Sequence, residues 1–150
     1  MEFPSCPAPF NLAAHALHHA SDLGDKPALE IMHADRTEVW SYAQIEAAVR
    51  GIGTGLLGLG LAPGSRILLR LGNSAAFPLA YLGAIAAGFV PVPTAAALTE
   101  AEITRMAALV APALVVADAG IALPDCVAPV LPAADLMAMQ HLAPCAYEMG

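Results

Sequence analysis

Ala80-Tyr81-Leu82-Gly83-Ala84-Ile85-Ala86-Ala87-Gly88-Phe89-Val90-Pro91-Val92-Pro93-Thr94 lies within a run, Leu71 to Thr99, that carries no charged residue. Two readings compete for it: a membrane span, or a helix followed by a buried strand. A span needs roughly 20 consecutive apolar residues in one helix, and the run is long enough. Gly72-Asn73-Ser74 opens it as a turn, however, and Gly88 is a helix stop. Pro91 and Pro93 cannot both sit in an undisturbed helix. Alanine and glycine add less to insertion than leucine or isoleucine, and no basic or aromatic anchors flank the ends. The run therefore divides into a helix capped by Ser74, a glycine stop and a strand over residues 89–93.

The same alternation extends outward. Residues 66–71 (RILLRL) form the strand before that helix. Thr99 and Glu102 make a capping box that opens a helix to about Val110, and residues 113–117 (ALVVA) form a strand ending at Asp118. Nearer the N-terminus, Asn11 caps a helix over residues 11–21, and residues 28–33 and a run ending near Trp40 are strands about an Ala34-Asp35-Arg36 turn. Ser41 with Gln44 is a second capping box, starting a helix at Tyr42 that places Ile45, Ala48, Val49 and Ile52 at helical spacing. After Asp118 the pattern weakens, with VAPVL as a strand and residues 135–141 as a helix. Apolar strands alternating with helices give an α/β class: a three-layer fold with a mainly parallel sheet built from βαβ units.

Length allows one domain with one core. The hydrophobic fraction, 58% against 13% charged, exceeds what an ordinary domain needs for its own interior. Either the chain meets lipid or part of its surface is meant to be covered. Net charge is −7, and the six basic residues, Lys26, Arg36, Arg50, Arg66, Arg70 and Arg105, are scattered. Phosphate neutralisation needs clustered cations, so nucleic acid is excluded as a partner, and an anionic membrane surface is disfavoured. Cys6, Cys126 and Cys145 form no CxxC pair and fit a reduced, cytoplasmic setting. MEFPSCPAPF has neither the basic nor the apolar region of a signal peptide.

Gly53-Thr54-Gly55-Leu56-Leu57-Gly58 spells GxGxxG. In dinucleotide sites that pattern follows a strand and opens a helix. Here it closes a helix and precedes a strand, so it reads as a glycine-rich helix end packed on a neighbour. His15, His18 and His19, with Asp22, share a helical sector but have no partner ligand set elsewhere, and read as a solvated face. No serine sits in a GxSxG elbow. Asp118 ends a strand where open α/β sheets bind ligands; a polar strand terminus is the simpler account of it.

Six segments in order resemble the N-terminal part of AMP-forming acyl-CoA synthetases. They are Gly24-Asp25-Lys26-Pro27-Ala28-Leu29, Trp40-Ser41-Tyr42-Ala43-Gln44-Ile45, and Gly64-Ser65-Arg66-Ile67 through Gly72-Asn73-Ser74. The others are Leu82 through Val92, Leu98-Thr99-Glu100-Ala101-Glu102-Ile103, and Ala113 through Asp118. The second and fourth look like the family's first two core motifs, with Gln44 and Ser65 standing where Glu and Asp are usual. The loop style looks most like aryl or medium-chain acid–CoA ligases.

The resemblance covers residues 11–120. Residues 1–10 are expected to be a disordered or irregular N-terminus, and the resemblance implies a weakly defined continuation over residues 121–150 that stops before the phosphate-binding loop. It further implies ATP, Mg and CoA as cofactors of a parent ligase that activates a small carboxylic acid. Thr94 and Arg105 are the CoA-side candidates it suggests, because the loop between them offers only Ala95, Ala96 and Ala97. No catalytic residue and no metal ligand are expected in the chain, whose single lysine, Lys26, falls in a turn. None of the three cofactors is expected to bind this chain tightly by itself. The expected partner is the remainder of a ligase, or a second copy meeting an uncovered apolar face. The alternative is a non-catalytic α/β interaction domain using that face.

Overall fold

The computed structural model describes residues 7–150; Cys6 and most of the expected irregular N-terminus lie outside the described residues. The chain runs α1 (Leu12–Ala16), α2 (Ala20–Leu23), β1 (Pro27–Met32), β2 (Thr37–Ser41) and α3 (Tyr42–Leu57). It continues through β3 (Arg66–Arg70), α4 (Ala76–Ala86), β4 (Val90–Pro93), α5 (Glu100–Val110) and β5 (Leu114–Ala117). It ends with β6 (Val130–Pro132), α6 (Ala133–Ala138) and a 3-10 turn, Met139–His141. β1 and β2 form an antiparallel hairpin. The other four strands make a parallel sheet in the order β4-β3-β5-β6. The α/β class and the mainly parallel sheet are those expected.

Both capping boxes form. The Ser41 hydroxyl accepts from the Gln44 amide and the Gln44 side chain accepts from the Ser41 amide; Thr99 and Glu102 repeat the arrangement at α5. Asn11 caps α1, its Oδ1 accepting from Ala13 and Ala14, while its Nδ2 donates to the carbonyls of Ile85 and Glu148. The single helix expected over residues 11–21 is instead broken into α1 and α2. The His18 ring, as its Nδ1–H tautomer, donates to the His15 carbonyl (2.6 Å), the acceptor that a continuing helix would have given to the His19 amide. Ser74 does not cap α4. The Phe77 amide bonds the Ser74 backbone carbonyl rather than its side chain, and the Ser74 hydroxyl is buried without a partner among the described residues.

Side chains alternate across the sheet. Ile67, Leu69, Leu114 and Val116 face the larger core, under α4 and the helices α1, α3 and α6. Leu68, Val115 and Ala117 face the other way, against Ile103 and Ala107 of α5. These two helical coverings with the sheet between them are the three layers. The uncharged run is thus α4, buried among helices, and β4 beyond Gly88, whose φ of +77° ends the helix. Among the described residues no helix is long and apolar enough to cross a membrane.

The glycines of GxGxxG lie in α3 and at its end, and close packing explains them. A Cβ on Gly53 would meet the Cys145 sulfur at 2.7 Å, and one on Gly55 would fall on the Met139 side chain. The chain after the 3-10 turn is extended and lies on α3 and α4. Arg50 and Cys145 exchange bonds, Nε to carbonyl (2.8 Å) and amide to carbonyl (3.2 Å), and the Thr54 hydroxyl donates to the Ala143 carbonyl (2.6 Å). The Glu148 amide reaches the Ala86 carbonyl (2.8 Å).

Candidate functional site

In the order β4-β3-β5-β6, β3 leads through α4 to β4 on one side, and β5 leads on to β6 on the other. The loops leaving the C-terminal ends of β3 and β5 therefore diverge, which opens a crevice where open α/β sheets receive ligands. Asp118, the first residue after β5, stands there. Its Oδ2 accepts from the Gly72 amide (2.7 Å), and its own amide donates to the Arg70 carbonyl (3.0 Å). The carboxylate fixes the turn after β3.

Two clefts flank that turn and share Gly72, Asn73 and Phe77. One, of about 410 Å³, is walled on the far side by Thr94, Ala95, Ala96 and Ala97. The other, of about 430 Å³, is walled by β1 residues Leu29 to Met32. The 410 Å³ cleft has no charged side chain in its lining.

The two residues carried from the sequence are not brought together. Thr94 is 9% exposed at the foot of the loop after β4; its hydroxyl donates to the Leu69 carbonyl (2.8 Å) and accepts from Arg70 Nη1 (3.3 Å). Arg105 is exposed on α5 and does not line the cleft. The residue that the sequence reading passed over is Arg70. It is fully buried, on the Leu68 face of β3, and burial pulls its pKa below the ordinary arginine value. Its one visible signal was a cation inside the apolar strand RILLRL.

Nucleotide phosphates need a loop of free backbone N–H groups, usually at a helix N-terminus after a strand. Gly53 and Gly55 are inside a helix and covered by Cys145 and Met139, and Gly58 is that helix's C-cap, so the pattern does not fit such a group. Among the described residues no three His, Cys, Asp or Glu side chains converge to hold a metal ion. His15 of α1 and His18 of the turn after it are exposed and stack at 5.6 Å. Cys126 and Cys145 are free thiols, and burial raises the Cys145 pKa, against the opposing effect of the Arg50 charge. What the site does offer is two fixed loops and an uncharged cleft between them.

Comparison with known proteins places this architecture. The family described as AMP-binding enzyme matches residues 17–145, which extends the resemblance read from residues 11–120 through α6 to Cys145. A 4-coumarate–CoA ligase of Vanilla planifolia is 30% identical over 108 residues, covering 71% of this chain and 19% of that protein. A salicyl-AMP ligase/salicyl-S-ArCP synthetase of Mycobacterium tuberculosis is 35% identical over 99 residues, 65% of this chain and 16% of that protein. The crystal structure of a benzoate CoA ligase from Burkholderia xenovorans superposes with a TM-score of 0.79 at 26% identity, over 92% of this chain and 30% of that one. The chain thus spans about a fifth of the length of the curated relatives it matches, 19% of the first. With the family model matching residues 17–145 and the parallel-sheet fold superposing on a benzoate CoA ligase, the chain belongs to the AMP-binding enzyme family of adenylate-forming ligases.

Proposed function

We propose that this chain serves as the N-terminal α/β scaffold of an ATP-dependent acid–CoA ligase, which forms an acyl-adenylate and then a thioester. The observation that carries the reading is the family match over residues 17–145, joined to 26% identity with a benzoate CoA ligase of the same fold. ATP, Mg and CoA are the cofactors of the whole enzyme, and a small, aryl-type carboxylic acid is its substrate, in a cytoplasmic setting. In this reading the scaffold is not catalytically complete alone, since among the described residues no helix N-terminus after a strand carries a glycine-rich loop for the ATP phosphates. Arg105, an exposed cation midway along α5, the helix of the chain's second βαβ crossover, is the CoA-side residue of this proposal. Thr94, whose hydroxyl is engaged within the fold, contributes through the loop it anchors.

The 35% identity to a salicyl-AMP ligase/salicyl-S-ArCP synthetase favours a second reading of the acceptor, a carrier-protein thiol in place of CoA. Exposed Leu109 and Val127, at 88% and 105%, support coverage of the α5 side by the rest of a ligase or by a second copy. Size-exclusion chromatography reads the second of these as a discrete dimer.

Acid-dependent ATP–pyrophosphate exchange tests the reading on two proteins. One is the chain alone; the other is a chimaera in which residues 17–145 replace the matching segment of a 4-coumarate–CoA ligase. The expected result is no exchange from the chain and exchange from the chimaera with 4-coumarate, benzoate or salicylate. Exchange by the chain alone overturns the scaffold role, and an inactive but folded chimaera overturns the ligase reading.

A further inference from the structure

Among the described residues Arg70 is the only charged side chain that is buried, and it is fully so. All five of its N–H donors are used. Nε donates to the Ala122 carbonyl (2.9 Å), and Nη1 donates to the Thr94 hydroxyl (3.3 Å) and the Ala95 carbonyl (2.6 Å). Nη2 donates to the carbonyls of Ala96 (3.4 Å) and Leu98 (3.1 Å). None of these acceptors is a carboxylate. Asp118, on the neighbouring strand end, gives its Oδ2 to the Gly72 amide and makes no ion pair with Arg70.

An enclosed cation with no counter-ion is costly, and here it is stabilised only by the dipoles of four carbonyls and a hydroxyl. Three of those carbonyls and the hydroxyl belong to one loop, Thr94–Leu98. That loop has almost no means of holding itself: its middle is three alanines, and its one internal backbone bond is Leu98 amide to Ala95 carbonyl (3.2 Å). The same residues, Thr94 to Ala97, are the wall of the 410 Å³ cleft opposite Asn73 and Phe77.

We propose that Arg70 is a positioning residue whose guanidinium fixes the Thr94–Leu98 loop and thereby sets the breadth of the cleft beside Gly72. A planar fork with five donors in fixed directions can meet acceptors on both sides of the loop; an ammonium with three donors on a flexible stem cannot. Asp118 and Arg70 thus hold the two walls of one cleft, each by bonds to backbone. That the cleft takes part of a substrate rests on the ligase reading above; that Arg70 holds the loop does not.

The test is NMR of the 15N-labelled chain. In the wild type, a locked guanidinium gives separate, slowly exchanging Nη proton signals for Arg70. In Arg70→Met the backbone order of residues 94–98 falls and their amide signals move, while Ile67, Leu68, Val115 and Val116 keep theirs; Arg70→Lys does not restore the loop. Averaged Nη signals in the wild type overturn the proposal, as does an unchanged loop in folded Arg70→Met, or rescue by lysine. The wild-type spectrum decides even where a variant fails to fold. In an active chimaera, Arg70→Lys is expected to raise KM for the acid or the acceptor about tenfold with a smaller change in kcat. Unchanged KM for both confines Arg70 to the loop and overturns its control of the cleft. An inactive chimaera, by contrast, bears on the ligase reading and leaves the loop result standing.

Discussion

The two faces of the parallel sheet are sealed by different means. On one, Ile67, Leu69, Leu114 and Val116 lie under α4, itself enclosed by α1, α3 and α6. On the other, Leu68, Val115 and Ala117 are covered by the single helix α5, by Leu98 ahead of it and by Cys126 and Ala128 of the β5–β6 connection, and past Leu68 the same strand face presents Arg70. The first face is held by close packing among small residues, which predicts little tolerance of a change in volume. The second is covered by one helix, which predicts that it can settle around a lost side chain, and is held at its end by hydrogen bonds. Leu69 and Leu68 are adjacent, fully buried and on opposite faces, so one pair of variants separates the two cases. The cost of a leucine-to-alanine change depends on how far the surroundings collapse into the cavity. Leu69→Ala should cost about 4–5 kcal/mol and Leu68→Ala about 2–3 kcal/mol in urea denaturation. Equal costs, or the reverse order, would break the distinction.

Adding volume sharpens it. A Cβ on Gly83 of α4 would sit 2.6 Å from Ile52 Cγ2 and 3.2 Å from the Val49 carbonyl of α3. Since backbone and a branched side chain must both give way, Gly83→Ala should cost about 1–3 kcal/mol, although alanine is the better helix former. A neutral or stabilising result would mean that α3 and α4 can part without loss, and that this face is no tighter than the other.

Helix starts come next in size. Ser41→Ala removes the hydroxyl that accepts from the Gln44 amide, and should cost about 1 kcal/mol by thermal unfolding. Both capping boxes were legible in the sequence because they are local: the partners are three residues apart and need no knowledge of the fold. The division of the uncharged run was legible for the same reason, since Gly88, Pro91 and Pro93 act on their own backbone. Asn11 was half legible; its bonds to Ala13 and Ala14 are local, but its bonds to Ile85 and Glu148 cross the molecule. The break after α1 and the failure of Ser74 as a cap show only in the folded backbone, where the His15 carbonyl bonds the His18 ring and the Phe77 amide bonds the Ser74 carbonyl. Arg70 was not legible at all as part of a site. Its partners lie 24 to 52 residues away on two separate loops, and nothing in TAAAL announces that its carbonyls converge on one cation. Asp118 was placed at a strand end from the pattern, while its partner, the Gly72 amide, follows only from the strand order.

The smallest effect distinguishes the caps of α3 and α5 by acid. At α5 the Thr99 hydroxyl and amide both donate to Glu102 Oε2, at 2.7 and 2.8 Å. These bonds, the hydroxyl's first, hold the Glu102 carboxyl below its ordinary value, with the Arg105 charge adding to them against a small opposing effect of burial. A group whose pKa is lower in the folded than in the unfolded chain contributes stability above its unfolded value, about 4.3 for glutamate, and loses it as pH falls through the folded value. The α3 box uses Gln44, which has no proton to gain in that range. An NMR titration should therefore show the Thr99 and Glu102 amides shifting with a midpoint below that of free glutamate. The Ser41 and Gln44 amides should stay flat, and Glu102→Gln should abolish the α5 titration while keeping its box. The side-chain carboxyl is exposed, so the stability change will be slight. The order of the midpoints is what matters: one at or above the free value would mean that the Thr99 bonds give way to water, and that the two caps differ in sequence but not in chemistry.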